Sequence, residues 1–369
     1  MTHEYAFSAA DQRSLAQEHR AWLTLSQIPG LKLNKLWQAV ALHRSAQAVL
    51  EHLREGSLTA SDRRTAVPGT AQIDSLEERA LCRKERILTP ADGEYPRQLL
   101  DLPQPPAVLF AAGSRNLQVS NQLAVVGSRL ATPYGMSQAA ILARHLAERG
   151  LIVTSGLARG IDSQAHRGAL KGGGRTIAVI GCGLDVYYPR ENARLQQRLA
   201  AEGNVISEYA YGTPPNSWNF PARNRLIAAL ALGTVIVQAS RSSGALITAR
   251  IANDLGREVM IVPGAVDVTQ SGGCLQLLLE GASPVRNVRD VFDVLNVFED
   301  ASPSCESTGS SLSPTAQTIL KALSVQGSTI DGLVEKCRLA PGLIAAVLHQ
   351  LDLAGRVQPL PEGVWIPTA

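Results

Sequence analysis

The feature that most constrains this chain is a strict alternation in its middle. Six short β-branched runs, "LAVVG" (123–127), "LIVTS" (151–155), "TIAVIG" (176–181), "NVISEY" (204–209), "TVIVQA" (234–239) and "EVMIVPG" (258–264), are separated by longer amphipathic stretches. Those stretches, 136–149, 162–171, 191–202, 223–231 and 245–255, have helical periodicity. Apolar strands alternating with helices are βαβ units, and right-handed crossovers then give a parallel sheet covered on both faces. The expected fold class is α/β, a Rossmann-like parallel sheet with helices on both faces that ends near Leu295.

Smaller modules flank it. Trp22 to Leu53 is helical in pattern around "LSQIPGLKLNKLWQAV", with an "IPGL" turn of helix-hairpin type, and Ile73 to Arg86 reads as a further helix after the loop "SDRRTAVPGT". The serine- and proline-rich "EDASPSCESTGSSLSP" lacks apolar periodicity and reads as a linker. Beyond it, three helical runs precede "GRVQPLPEGVWIP", a hairpin, which is the winged-helix order. With one Lys and one Arg, "EKCRLAPGLIAAVLHQL" is poor in the cations that phosphates need, which favours protein contact or internal packing there. The expected boundaries are a helical (SAM or helix-hairpin-like) domain at 1–88, a Rossmann-like domain at 89–298, a linker at 299–313 and a winged-helix-like domain at 314–369.

Several function classes are excluded at this level. The formal charge is only +3, so any nucleic-acid site must be a local concentration of cations. Five scattered cysteines without a CxxC indicate neither a disulfide framework nor a zinc site. "MTHEYAFSAADQRS" has no signal pattern and "LIAALALGTVIVQA" is too short to span a bilayer, so a cytoplasmic protein without membrane insertion is expected. The first strand leads into "GSRLATPYG" rather than G-x-G-x-x-G, "GCGLDV" lacks the third glycine, and neither a Walker motif nor a G-x-S-x-G elbow occurs. No cofactor, metal or catalytic residue is expected. Asp162 and His166 share a helix face, as a general base and its orienter would, but the preferred reading is that Asp162 caps the helix and holds His166.

A binding site is legible instead. In doubly wound sheets ligands sit outside the carboxyl ends of the strands. "GSR" (127–129), "SGLARG" (155–160), "GCG" (181–183) and "SRSSG" (240–244) all follow strands and gather on that edge, and "FPARNR" (220–225) opens a helix beside them. Arg223 and Arg225 at a helix head would oppose the dipole unless an anion joins them. With Arg129 and helix-start N–H groups they would form a phosphate site, and Phe220 would offer a face for a base. The competing reading pairs one arginine with an acid such as Glu208.

The segments "AVVGSRLATPYG", "VTSGLARGIDSQAHRGALKGGGRTIAVIGCGLDVYYPREN", "ISEY", "GTPPNSWNFPARNRLIAAL", "SGALITARIANDLGREVMIVPG" and "EGASPV" resemble the DprA/Smf (DNA-processing protein A) family from about residue 90 to 295. The resemblance implies a non-enzymatic, single-stranded DNA-binding recombination mediator. Such a protein protects incoming DNA during natural transformation and loads the RecA recombinase onto it in the presence of single-strand-binding protein. It also implies a homodimer. Carried over by motif, the DNA-binding residues are Gly127, Ser128, Arg129, Phe220, Arg223, Asn224, Arg225, Ser243 and Gly244, with Lys171 as a further phosphate contact. Gln238, Cys274 and the "ALA" at 229–231 depart from the family's usual Glu, Asn and "GLS". A nucleotide N-glycosidase of the lysine-decarboxylase-like type is the alternative. That class carries a "PGGxGT" loop and a downstream glutamate, where "ASRSSGALITA" here has no acid.

Overall fold

The computed structural model describes residues 12–55, 67–113, 115–296, 314–323, 328–353, 357–360 and 364–367. The chain divides into two compact units, Met1–Glu299 and Asp300–Ala369.

The first unit opens with helices α1 (Gln12–Ser26), α2 (Leu33–His43), α3 (Ala46–Arg54) and α4 (Thr70–Cys82). Gly30 takes a φ of 79° in the "IPGL" turn between α1 and α2. Trp22 and Trp37 pack at 4.8 Å between centroids in the core of this module. Glu18 is buried because it caps a helix: its carboxylate accepts the Ala46 and Gln47 N–H groups at 2.6 and 3.1 Å, at the positive end of α3. Helix α4 stops earlier than the periodicity suggests. Lys84 turns the chain with a φ of 55°, and Glu85 begins a strand.

That strand, β1 (Glu85–Leu88), and β2 (Leu109–Ala112) form an antiparallel edge that the alternation pattern did not reveal. The parallel part follows as β3 (Gln122–Val126), α5 (Pro133–Glu148), β4 (Ile152–Ser155), α6 (Ile161–Lys171), β5 (Thr176–Val179), α7 (Ala193–Glu202) and β6 (Asn204–Ser207). It continues through α8 (Asn219–Leu230), β7 (Gly233–Ile236), α9 (Ala245–Asp254), β8 (Glu258–Ile261), α10 (Gly272–Leu279), β9 (Ser283–Pro284) and α11 (Val288–Leu295). All six expected strands are present, in the sheet order β1-β2-β6-β5-β4-β3-β7-β8-β9. Strands β3 to β7 are buried on both sides, which is why they read as continuous apolar runs. Leu123 and Val125 face α5 and α6, whereas Ala124 and Val126 face α8 and α9.

The order reverses between β3 and β7. Chain leaving β3 goes to one side and chain leaving β7 to the other, which opens a crevice at their carboxyl ends.

The second unit runs α12 (Pro314–Ala322), β10 (Ser328–Thr329), α13 (Ile330–Cys337), α14 (Pro341–Leu353), β11 (Val357–Leu360) and β12 (Val364–Pro367). Three helices and a three-stranded β10-β12-β11 sheet make a winged helix around Ile319, Leu333, Ile344 and Leu348. The linker at 299–313 lies outside the described residues.

Candidate nucleic-acid interface

A cleft of about 650 Å³ occupies the crevice at the β3–β7 reversal. Its floor is the end of β3, "VGSRL" (126–130), and its opposite wall is the first turn of α9 with Ser243, Gly244 and Ala245. Ala158 comes from the β4–α6 turn, Asp162 from the first turn of α6, Tyr188 from the loop after β5, and Pro215, Ser217, Phe220, Pro221, Arg223 and Asn224 from the entry to α8 and its first turns.

The glycines make this approach possible. A Cβ on Gly127 would lie 2.7 Å from the Gln238 carbonyl, and one on Gly160, at a φ of 72°, would strike the Ser128 carbonyl. Ser128 is thereby held between β7 and α6: its N–H donates to Gln238 O at 2.6 Å and its carbonyl accepts Ile161 N–H at 3.2 Å. Gln238 fixes the following turn, since its Oε1 accepts the Thr132 N–H at 2.8 Å while Thr132 caps α5. A glutamate could accept that same N–H, so the departure at 238 leaves the turn its acceptor. Cys274, a second departure, is buried, 3.7 Å from the Ile236 carbonyl.

Arg129 is exposed and makes no ion pair with a described residue; its guanidinium lies over the Phe220 ring, 5.3 Å from the centroid. Phe220 is held from behind by Gly181, where a Cβ would come within 3.0 Å of the ring, and from the side by Tyr188 at 5.3 Å. Tyr188, 41% exposed, was not foreseen from the sequence; its place in "DVYYPREN", directly after a strand end, was the available signal. Asn224 donates to Gly244 O at 3.2 Å and ties α8 to α9 across the cleft. Arg241, exposed in the "SRSSG" turn, adds a second cation next to the lining residue Ser240.

Eight of the ten expected DNA-binding residues line the cleft; Arg225 and Lys171 do not. Helix α8 starts at Asn219, four residues before the expected start, with Pro221 in its first turn, where a missing N–H costs nothing. Arg223 and Arg225 are therefore past the first turn, and the conflict with the helix dipole does not arise. Arg223 is only 3% exposed and donates Nη1 to the carbonyls of Gly156, at 2.7 Å, and Val179. Burial pulls its guanidinium down to about 10, with the nearby Asp162 carboxylate opposing. Arg225 pairs with Glu208 and donates to Gln104 O at 2.9 Å, so the competing reading describes this arginine. Lys171 closes the 11-residue α6, about 15 Å along the helix from the end that touches the cleft.

The Asp162–His166 reading also changes. Gly160 precedes α6 as its cap, Asp162 accepts the Ala158 N–H at 3.4 Å, and burial raises its carboxyl against the pull of Arg223. His166 is buried with Nδ1 on Thr176 Oγ1 at 2.7 Å, and burial drives its imidazole down to about 3. Asp162 does not hold it. Among the described residues no cluster of three His, Cys, Asp or Glu could hold a metal, and no helix is long and apolar enough to cross a membrane.

Residues 86–296 match the family described as DNA recombination-mediator protein A, and residues 303–363 match the DprA winged helix domain. The chain is 34% identical over 315 residues to Protein Smf of Synechocystis, covering 76% of this chain and 79% of that protein. The X-ray structure of DNA processing protein A from Streptococcus pneumoniae superposes with a TM-score of 0.62 at 32% identity, covering 75% of this chain and 97% of that one. A structure of DNA processing protein A from Helicobacter pylori, solved for its single-stranded DNA binding mode, gives a TM-score of 0.53 at 32% identity, covering 58% of this chain and 96% of that one. The first matched region contains every cleft-lining residue, and the chain belongs to the DNA recombination-mediator protein A family.

Proposed function

We propose that the cleft binds single-stranded DNA and that the protein acts there as a recombination mediator rather than an enzyme. The observation that carries this is the Arg129–Phe220 stack at the β3–β7 reversal, a cation with no ion pair among the described residues and an aromatic face on one cleft floor. A phosphate met by the guanidinium and by the first turn of α9 leaves its base beside Phe220 and Tyr188. Such binding needs no NAD, ATP or metal.

Asp162 is the one carboxylate among the lining residues; it is 6% exposed, and burial raises its carboxyl against the pull of Arg223, Arg129 and local N–H groups. No second carboxylate stands beside it among the lining residues, which favours binding over the N-glycosidase alternative. The partners proposed are single-stranded DNA, the RecA recombinase, a second copy of the chain and single-strand-binding protein, in a cytoplasmic setting during natural transformation. The proposed boundaries lie at 298 and 313, with the first at 84 rather than 88, because β1 (Glu85–Leu88) pairs with β2 in the sheet.

The test is an electrophoretic shift with single-stranded and duplex DNA of one length, at two salt concentrations, in EDTA without nucleotide. Preference for the single strand, weakening with salt, is the expected result. Binding that required ATP and magnesium would sink the idea. A RecA ATPase assay on strands covered by single-strand-binding protein should show stimulation, and a flat titration would overturn the mediator role.

A further inference from the structure

Two loops form the β5–β6 side of the cleft, residues 181–192 and 208–218, and they are tied to each other before they reach it. The Asp185 carboxylate accepts the Gly212 N–H at 2.8 and 3.0 Å, and the Gly183 N–H donates to Thr213 O at 3.0 Å. Further along, the first loop carries Tyr188 into the cleft and the second carries Pro215 and Ser217, then runs into Phe220. Tyr188 and Phe220 meet at 5.3 Å, so the joined loops end in one aromatic platform.

Arg79 of the N-terminal helices touches both loops. It lies above an apolar cluster that Leu23, Ile73 and Leu76 share with Leu184, Val186 and Tyr211, and beside Arg83, whose guanidinium lies 5.9 Å from the Tyr211 ring centroid. Arg79 of α4 donates to Asp185 Oδ2 at 2.8 Å, and its guanidinium lies over Tyr211 at 4.8 Å from the ring centroid. Tyr211 packs edge-on against Phe110 of β2 at 5.2 Å, which gives the guanidinium a fixed surface. The Arg79 side chain is 49% exposed, so the ion pair contributes little to stability. Its placement is the informative part: it bridges one helix to two loops that share a functional end.

We propose that Arg79 is a positioning residue for the cleft. Through Asp185 and Tyr211 the N-terminal helical module sets how Tyr188 and Phe220 face a bound base, and so controls the base-dependent share of strand binding. The proposal rests on the single-strand reading of the cleft.

Fluorescence anisotropy on the full chain tests it, using oligothymidylate and an abasic strand of the same length. The variants are Arg79→Ala, Asp185→Asn, Phe220→Leu and the Arg79→Ala/Phe220→Leu double, each first shown to be folded by circular dichroism. Arg79→Ala should weaken oligothymidylate binding about tenfold, the size of one base–aromatic stack. It should leave abasic-strand affinity and the salt slope as in wild type, and add nothing once Phe220 is replaced. Asp185→Asn should behave alike, because it keeps an acceptor for Gly212 but loses the charge that Arg79 grips. A lower melting temperature with both affinities unchanged would assign Arg79 a purely stabilising role and overturn the proposal. Equal weakening for both strands would overturn it too. A wild-type chain that binds neither strand removes the reading of the cleft itself, and this proposal with it.

Discussion

The Arg129 guanidinium covers the face of Phe220 at 5.3 Å, joining residues 91 positions apart at the one place where the sheet order reverses. Neither side chain is engaged elsewhere in a way that hides it: Arg129 is exposed and Phe220 is half-buried. The pair combines a charge that attracts phosphate with a surface that accepts a base.

Its two members should therefore fail differently. Arg129→Ala should weaken single-strand binding and lower the salt slope of log K by about 0.7, the contribution of one phosphate contact. Phe220→Leu should weaken binding by roughly 1–3 kcal/mol with the slope unchanged. Both effects should be nearly independent of base sequence, since neither contact reads base edges. Anisotropy titrations across a salt series check this. Identical slopes for the two variants would refute the division of roles.

Arg223 and Arg225 should act on folding first. Arg223→Ala removes the donor from the carbonyls of Gly156 and Val179, at about 1–3 kcal/mol for each acceptor left unsatisfied in the core. Arg225→Ala leaves Glu208, whose side chain is 13% exposed, without its cation. The loss should stay below the roughly 3–5 kcal/mol of a fully buried pair, and Glu208→Gln in the same chain should restore part of it. Urea melts give the answer. A stable Arg223→Ala protein with weakened DNA binding would place that guanidinium on the ligand instead.

Acid should expose the buried histidine. His166 is held at about 3 when folded against 6.5 as its ordinary value, so between those pH values the unfolded chain binds the extra proton. Stability from this site is complete above pH 6.5 and falls as pH drops toward 3. By pH 5 the loss amounts to about 2 kcal/mol, taken from the two proton affinities. Thermal melts of wild type and His166→Gln at pH 7 and 5 should show the smaller acid-induced drop in the variant. A parallel drop in both would mean that His166 is protonated in the folded state.

Truncation after Glu299 should leave a folded chain that still binds single-stranded DNA, because the whole cleft lies within the first compact unit. Circular dichroism and an electrophoretic shift test this together. A well-folded truncated protein with no DNA affinity would put essential contacts in the winged helix.

Strand and helix type in the centre were legible because the alternation of apolar runs with amphipathic stretches is local, and buried parallel strands allow few other sequences. Ends of elements were less so. The α8 start was missed because Pro221 looks like a breaker yet is tolerated in a first turn. Strand β1 was missed because the four-residue edge strand "ERIL" carries too little period to separate from the helix before it, and β2 because "LFAA" has no β-branched residue.

By itself, the sequence determined the layered α/β architecture and which edge of the sheet would carry the glycine-rich turns, because parallel strands place every carboxyl end on the same edge. It also determined that Gly127, Ser128, Arg129, Phe220, Ser243 and Gly244 would gather there. Only the tertiary structure decided the roles of the other cations. Arg223 meets carbonyls 67 and 44 residues away, Arg225 meets Glu208 across a loop, and Lys171 is carried off by the length of its helix. Arg79 reaches Asp185 across 106 residues. A cation's role depends on which acceptor the folded chain brings within about 3 Å of it, and spacing along the sequence carries no record of that distance.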